Sequence, residues 1–342
     1  MAEKTTDEKK PPQIVLPDGG APPAADPALT GPAVAPVAPK TYCASIYPGP
    51  KVPLPEPLGS TLKQLETTLG KPLWMIIQAH DGPFAHIDGR LYDAFHAAKP
   101  ELVRDEPVAL LVHSPGGSAR DAYEIARLLQ RRCGGFSAVV PRAAMSAATL
   151  LVLGAQNILN GHDAVLGPLD AQLYDPDTEI YASVLNEVQA LERLRAYALE
   201  SVHETLMLLF DLTGKKIDTL LPQVLHFVSE TSRPLLEKID VVHYTERSRI
   251  LKVAEEYAVR LLRPKHPEPR GHEAQDVARR IASHFVEKYP EHDFPIDMDE
   301  AIKIGLDVEK PTAEQDALLE ALWTEVSGRT VIGRIEEVTG NA

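Results

Sequence analysis

A glycine pair and a serine lie at equivalent places in two successive units of this sequence. Gly116 and Gly117 follow the apolar run Val108–Val112, and Ser146 precedes the small apolar segment 147–153. Adjacent glycines let the backbone adopt dihedral angles that leave N–H groups open to a ligand. N–H groups that converge on one point can form an oxyanion hole, in which each donor contributes about 3–4 kcal/mol of transition-state stabilisation.

Ser146 stands at the predicted start of a helix. The first-turn N–H groups and the helix dipole favour negative charge there, such as that of a nucleophilic oxygen or an oxyanion. A structural alternative is that the glycines make a tight turn and Ser146 caps its helix. We favour the chemical interpretation because both motifs follow predicted strands, at the edge where open α/β sheets bind ligands.

The elements that position these residues alternate between strand and helix. Short apolar runs predict buried strands at Leu73–Ile77, Val108–Val112 and Phe136–Val140, and helical segments follow the second and third of them. After residue 183 the apolar spacing becomes helical, which predicts helices at 183–210, 216–229, 246–262 and 272–288. The sequence therefore predicts an α/β fold with a mostly helical C-terminal part.

Three regions are predicted along the chain. Residues 1–57 hold 14 of the 30 prolines with few large apolar side chains, which is typical of a disordered Pro/Ala-rich arm. Residues 58–310 form the predicted folded domain, and residues 311–342 a C-terminal helix and tail.

Several motifs together resemble a known family. They are Ser114–Gly117 (Ser-Pro-Gly-Gly), Val140-Pro141, Ala144–Ala147 and Leu166–Gln172. These segments resemble the serine dehydrogenase proteinase family, which is similar to signal peptide peptidases and belongs to the Clp protease/crotonase superfamily. The resemblance implies a Clp protease/crotonase-like ββα spiral, a serine peptidase activity and assembly into a homo-oligomer.

The same resemblance assigns roles to residues. Ser146 matches the family's nucleophile, and Gly116 and Gly117 match its oxyanion-hole glycines. Ala147, directly after the serine, joins them in the candidate site. One departure is Ala148, which stands where the family usually has glycine.

A serine nucleophile needs a base within hydrogen-bonding reach. Clp-type proteases supply a histidine in the segment that here reads Val165–Asp170, and this segment has none. Relatives of signal peptide peptidases supply a lysine, but none occurs between Ile180 and Leu199. The remaining candidates are His292, which Asp293 follows, Lys215, Lys216 and His162. We favour His292 or a lysine, and the sequence does not choose between them.

Asp170 also lies close behind the predicted nucleophile. It can help to position the site, or its side chain can stabilise a local turn by bonding to the nearby backbone.

Composition excludes some partners. A net charge of −14 argues against nucleic acid and anionic membranes, which both need a positive patch. No stretch has the roughly 18 consecutive apolar residues of a membrane span, and the charged N-terminus has no apolar segment behind it. Two cysteines, Cys43 and Cys133, favour free thiols in a reducing compartment, so we expect a cytoplasmic protein.

The loop His80–Asp88 is rich in possible metal ligands, but Gly82 and Pro83 interrupt their spacing. We therefore predict no metal or other cofactor. Three functions remain. The first and favoured is a serine hydrolase that cleaves peptide or protein substrates through an acyl-enzyme. The others are a non-catalytic scaffold or binding module of the same fold, and a crotonase-like acyl-CoA enzyme.

Overall fold

The computed structural model describes residues 40–46, 49, 51–170, 172–175, 180–262 and 272–338, all within one unit, Lys40–Ala342. The strands are β1 (Thr41–Ser45), β2 (Val52–Pro53), β3 (Leu73–Ile77), β4 (Val108–His113), β5 (Phe136–Val140), β6 (Ala143–Ala144), β7 (Ile158–Asn160), β8 (Val165–Leu166), β9 (Gln172–Asp175), β10 (Ile180–Ser183), β11 (Val308–Glu309) and β12 (Val331–Val338). The helices are α1 (Leu58–Leu69), α2 (Gly89–Ala97), α3 (Ala119–Arg132), α4 (Ala147–Leu153), α5 (Val184–Thr213), α6 (Ile217–Leu236), α7 (Val241–Leu262), α8 (His272–Glu287), α9 (Met298–Ile304) and α10 (Ala313–Glu325).

The main sheet has eight strands in the order β11-β7-β5-β4-β3-β12-β1-β2. From β11 to β3 neighbouring strands are parallel, whereas β12 pairs antiparallel with β3 and with β1. Every residue of β3 and β5 is buried, as expected for parallel strands covered on both faces. The predicted strands at 73–77, 108–112 and 136–140 are therefore confirmed.

Helices cover both faces of this sheet. Alternate residues of β3 point to opposite faces. Trp74 and Ile76 join a core with α2, α3, α4, α7, α8 and α9, while Leu73 and Met75 join a second core with α1 and α10. The candidate site lies on the first of these faces. Two small additional sheets, β6–β8 and β9–β10, lie outside the main one.

The predicted regions need correction at both ends of the folded unit. Residues 41–45, assigned to the arm, form β1, and residues 331–338, assigned to the tail, form β12 in the middle of the sheet. Tyr42, Cys43 and Ala44 are buried because β12 pairs with them in register from Thr41–Val338 to Ser45–Arg334. Residues 1–39 of the predicted arm lie outside the described residues.

Helices are present where the sequence predicts them after residue 183, although several are longer. The predicted helix at 216–229 extends to Leu236, and the one at 246–262 begins at Val241. Helix α5 packs against both α6 and α7, and α7 also packs on α3 and α4. These contacts place α7 over the candidate site.

Candidate active site

Ser146 lies at a sharp turn between β6 and α4. Its backbone has φ 50° and ψ −119°, a conformation that is uncommon for a residue with a side chain and is a form of local strain. Hydrogen bonds fix the turn: the Met145 N–H donates to Ser114 O at 3.0 Å, and the Ala148 N–H donates to Met145 O at 2.9 Å. The Ser146 hydroxyl does not cap α4, so the structural alternative of an N-cap role does not hold.

The glycine pair packs directly against this turn. Gly116 has φ 105°, and a Cβ there would lie 2.7 Å from Met145 O and 2.9 Å from Ser146 Cβ. Gly117 has φ 143°, and a Cβ there would lie 2.3 Å from Ile87 O. Only glycine fits at either position, because a side chain would meet backbone atoms. The glycine turn and the serine turn therefore fit together as one unit.

The prediction that Gly116 supplies an open N–H donor is wrong. Its N–H donates to Ser114 Oγ at 3.0 Å, a buried hydrogen bond. Ser114 Oγ in turn donates to Gln78 Oε1 at 2.5 Å, so Gly116 belongs to the support of the turn. Within the described residues, the N–H groups of Gly117 and Ala147 donate to no acceptor. Both residues line the cavity that contains Ser146.

His292 lies in the same cavity and is held by a carboxylate. Its Nδ1 is 2.7 Å from Asp170 Oδ1, and Asp170 Oδ2 accepts a hydrogen bond from Ser183 Oγ at 2.9 Å. The Asp170 side chain is 2% exposed. Burial by itself would lower the pKa of His292, but the hydrogen bond and negative charge of Asp170, with the nearby Asp293, outweigh it, and the pKa lies above its ordinary value.

Backbone pairing brings the His292 segment to the serine. Leu166 and Ile296 exchange both of their backbone hydrogen bonds at 2.9 Å, and the Leu169 N–H donates to Phe285 O at 2.8 Å. The segment that carries Asp170 is thereby joined to the segment that carries His292.

The other candidate bases lie elsewhere. Lys215 and Lys216 are exposed in the connection between α5 and α6, and His162 is exposed between β7 and β8. None of the three belongs to the described lining of the Ser146 cavity. Asp293, which follows His292 in sequence, is also exposed and is not its hydrogen-bonded partner.

The cavity has a volume of about 670 Å³. Its apolar lining comes from α4, from Leu169 and from α7, with the residues Ala147, Leu150, Leu169, Ile250, Val253, Ala254 and Tyr257. Tyr257 stacks on Tyr123 of α3, with ring centroids 4.5 Å apart, which attaches α7 to the body of the protein. A second cavity, of about 460 Å³, shares Pro115 and His292 with the first.

The loop His80–Asp88, which is rich in possible metal ligands, contributes to both cavities. His86 lines the first cavity and His80 the second. Among the described residues, no group of three or more His, Cys, Asp or Glu side chains is arranged to hold a metal ion.

The pairing of Asp170 with His292 is the part of the site that sequence reasoning missed. The two residues are 122 positions apart, and nothing in their local sequence links them. The available signal was the order Ser, Asp, His along the chain, which α/β hydrolases also use. One cavity therefore holds Ser146 at a strained turn, a carboxylate-bound histidine, and two N–H groups that are unoccupied within the described residues. Groups of these kinds can perform acyl transfer.

Comparison with known proteins places the chain within a family. The sequence model of the ClpP-like SDH-type serine proteinases matches residues 69–241, just over half of the 342-residue chain. The protein belongs to this family, which confirms the resemblance to serine dehydrogenase proteinases. The matched segment contains Ser146, both glycines and Asp170, whereas His292 lies beyond it.

Two uncharacterized proteins of Methanocaldococcus jannaschii are similar to this chain. One is 28% identical over 223 residues, covering 65% of this chain and 60% of the relative. The other is 24% identical over 206 residues, covering 60% of this chain and 52% of the relative. The chain thus spans between about half and three-fifths of the length of these relatives. None of the described helices combines the length and the apolar character that crossing a membrane requires.

Proposed function

We propose that this protein is a serine peptidase that cleaves polypeptide through an acyl-enzyme on Ser146. The observation that carries the proposal is one cavity lined by Ser146, by His292 bound to Asp170, and by Gly117 and Ala147 with their N–H groups unoccupied within the described residues. These are the nucleophile, oriented base and oxyanion donors that acyl transfer requires. The family's description as serine proteinases supports the same reaction class.

In the proposed first step, Ser146 Oγ attacks the substrate carbonyl carbon and its proton passes to His292. Because Nδ1 of His292 is engaged by Asp170, Nε2 is the nitrogen available for this transfer. The Gly117 and Ala147 N–H groups stabilise the oxyanion. The C–N bond then breaks, and the leaving amine takes the proton from His292. In the second half of the reaction, water gives a proton to the same nitrogen and attacks the acyl carbon. The bond from that carbon to Ser146 Oγ breaks, and Oγ takes the proton back from His292.

We also propose a more specific fold for the strand–helix units around the site. A Clp protease/crotonase-like ββα spiral is supported by the parallel strands β3, β4, β5 and β7, which are adjacent in the sheet and consecutive apart from the short β6. Helices α2, α3 and α4 occupy the successive crossovers between them. Strands β6 and β8 form a small sheet that is separate from the main sheet and lies beside Ser146.

The catalytic assignment is tested with a fluorophosphonate probe, which reacts with an activated serine. We expect Ser146→Ala to abolish labelling and cleavage of an unfolded polypeptide such as casein, and His292→Ala to reduce both strongly. The matched control is Ser327→Ala, because Ser327 is an exposed serine that lines the neighbouring cavity. The probe should label this variant as it labels the wild type. Labelling that survives Ser146→Ala contradicts the assignment. A folded wild-type protein that neither labels nor cleaves would favour the scaffold function.

We also propose that the protein forms a homo-oligomer through the outer surface of α5 and α6. Large apolar side chains are exposed there, namely Tyr197, Leu199, Met207, Leu208, Phe210, Leu212, Ile217, Leu225, Phe227, Leu235 and Leu236. So many exposed apolar side chains on two adjacent helices are typical of an interaction site. A second copy of the chain supplies the same side chains for a symmetric contact.

The oligomer is tested by light scattering coupled to size-exclusion chromatography. We expect a multiple of the 37.4 kDa chain mass for the wild type and a smaller species for Phe227→Glu, because a charge would be buried in the contact. Gln223→Glu adds the same charge to the same helix at an exposed polar position and should leave the mass unchanged. A monomeric wild type, or an unchanged mass in Phe227→Glu, contradicts this surface.

A further inference from the structure

The cavity of Ser146 has basic side chains that the proposed reaction does not use. Arg120, from the first turn of α3, and Arg249, from α7, both line it together with His86. Arg120 is three residues after Gly117, a proposed oxyanion donor, in the sequence. Most of the other side chains that line the cavity are apolar.

No carboxylate of the described part of the chain neutralises these arginines. Neither Arg120 nor Arg249 forms an ion pair within the described residues, although Arg90, Arg233 and Arg260 do. Asp170 is the one acidic residue in the described lining, and both of its oxygens are engaged, by His292 and by Ser183. The described lining therefore has two guanidinium charges and one carboxylate, on a protein whose net charge is −14.

We propose that the Ser146 cavity selects peptides that carry a carboxylate close to the scissile bond, bound by Arg120 and Arg249. The inference rests on the proposed peptidase function and adds the substrate class. Guanidinium groups bind carboxylates through paired N–H donors and keep their charge at all physiological pH values. The carboxylate can be an acidic side chain or the C-terminal group of the peptide, and both have the same chemistry at the arginines.

Binding to Ser146→Ala protein tests this without any need for catalysis. The probes are the acetylated peptide Ala-Ala-Leu-Glu-Leu-Ala and its Gln counterpart, each with a free and an amidated C-terminus, titrated by calorimetry. We expect at least one carboxylate to tighten binding about tenfold, since two solvent-accessible ion pairs contribute. The gain should fall at high salt, because the charges are solvent-accessible. The Glu–Gln pair and the free–amidated pair report separately on the two sources of the carboxylate.

The double variant Arg120→Gln, Arg249→Gln should remove this preference. Arg104→Gln is the matched control, since Arg104 is 89% exposed and lies outside the described lining of the cavity. Equal affinities for all four peptides overturn the inference, as does a preference that survives in the double variant. Displacement of the peptides by coenzyme A at lower concentration also overturns it, because the basic groups would then serve phosphates.

Cleavage of the same four peptides by the wild type separates this inference from the proposed function. A wild type that labels at Ser146 and cleaves all four peptides equally contradicts the carboxylate preference alone. A wild type that is never labelled, but whose Ser146→Ala variant binds the anionic peptides more tightly, contradicts the peptidase function and retains the anion site.

Discussion

Replacing Gly116 by alanine tests whether the glycine turn sets the position of the nucleophile. The added Cβ would lie 2.7 Å from Met145 O, 2.9 Å from Ser146 Cβ and 3.1 Å from the Ala147 nitrogen. Ordinary contact begins near 3.4 Å, so the Ser146 turn must move by about 0.5–0.7 Å to accept the methyl group. All three atoms belong to the segment that carries the proposed nucleophile and one proposed oxyanion donor.

Two separate effects follow from this substitution. Alanine at φ 105° is strained whatever its surroundings, at a cost of about 1–3 kcal/mol in the free energy of unfolding. Displacement of the reacting group adds a loss of activity. A misplacement of about 1 Å can lower a rate about 100-fold, so a shift of roughly half that size should lower kcat/KM and the labelling rate about tenfold or more.

Gly82→Ala provides the matched control. Gly82 has φ 102°, close to that of Gly116, but no other atom lies within 4 Å of the position that a Cβ would take. We expect a loss of stability in a urea titration that is no larger than that of Gly116→Ala, because only the backbone strain is shared, and a fluorophosphonate labelling rate equal to that of the wild type. Labelling of Gly116→Ala at the wild-type rate would refute the reasoning, and so would an equal slowing in Gly82→Ala.

The remaining predictions concern the base and the support of the turn. Asp170→Asn removes the charge that raises the pKa of His292. Because activity requires neutral His292, the rise of kcat/KM with pH should move to lower pH, and the plateau at high pH should fall. A lower plateau with no change in the pH of the rise would contradict the role of Asp170. Thr149→Val should cost about 1–3 kcal/mol in the free energy of unfolding, because the buried Thr149 Oγ1 donates to Ala144 O at 2.7 Å and accepts from the Gly167 N–H at 3.0 Å. The control in the same urea titration is Thr67→Val, which removes an exposed hydroxyl from α1 and should change the free energy of unfolding by less than about 0.5 kcal/mol. Equal losses of stability in Thr149→Val and Thr67→Val would contradict the importance of the buried bonds.

The sequence predicted the central strands well, because their signal is local. Parallel strands covered on both faces must be largely apolar, and β3, β4 and β5 are, with His113 and Ser137 as their polar residues. Strands β1 and β12 have no such signal, since β1 lies in a proline-rich region and β12 has charged residues in its second half. Each is stabilised by pairing with the other across about 290 residues, which no local pattern reports.

The candidate site likewise has features that the local sequence predicts and features that it does not. That Ser146 and the glycine pair lie together was predictable, because each follows a parallel strand and such strands end at one edge of the sheet. Which N–H groups remain open was not predictable, since that depends on the hydrogen bond from Gly116 to Ser114 Oγ. The partner of His292 depends on the antiparallel bridge between Leu166 and Ile296, which only the folded chain brings about.

The strain at Ser146 explains why the two turns are built together. A positive φ at a serine costs on the order of 1–3 kcal/mol and persists only when its surroundings enforce it. Here α4 enforces it from one side, with all of its residues buried, and the glycine turn from the other, with no room for a methyl group. A serine that merely capped its helix would need neither constraint, because the cap geometry has ordinary extended dihedral angles. The backbone conformation is therefore evidence for a hydroxyl held out of its helix and into the cavity.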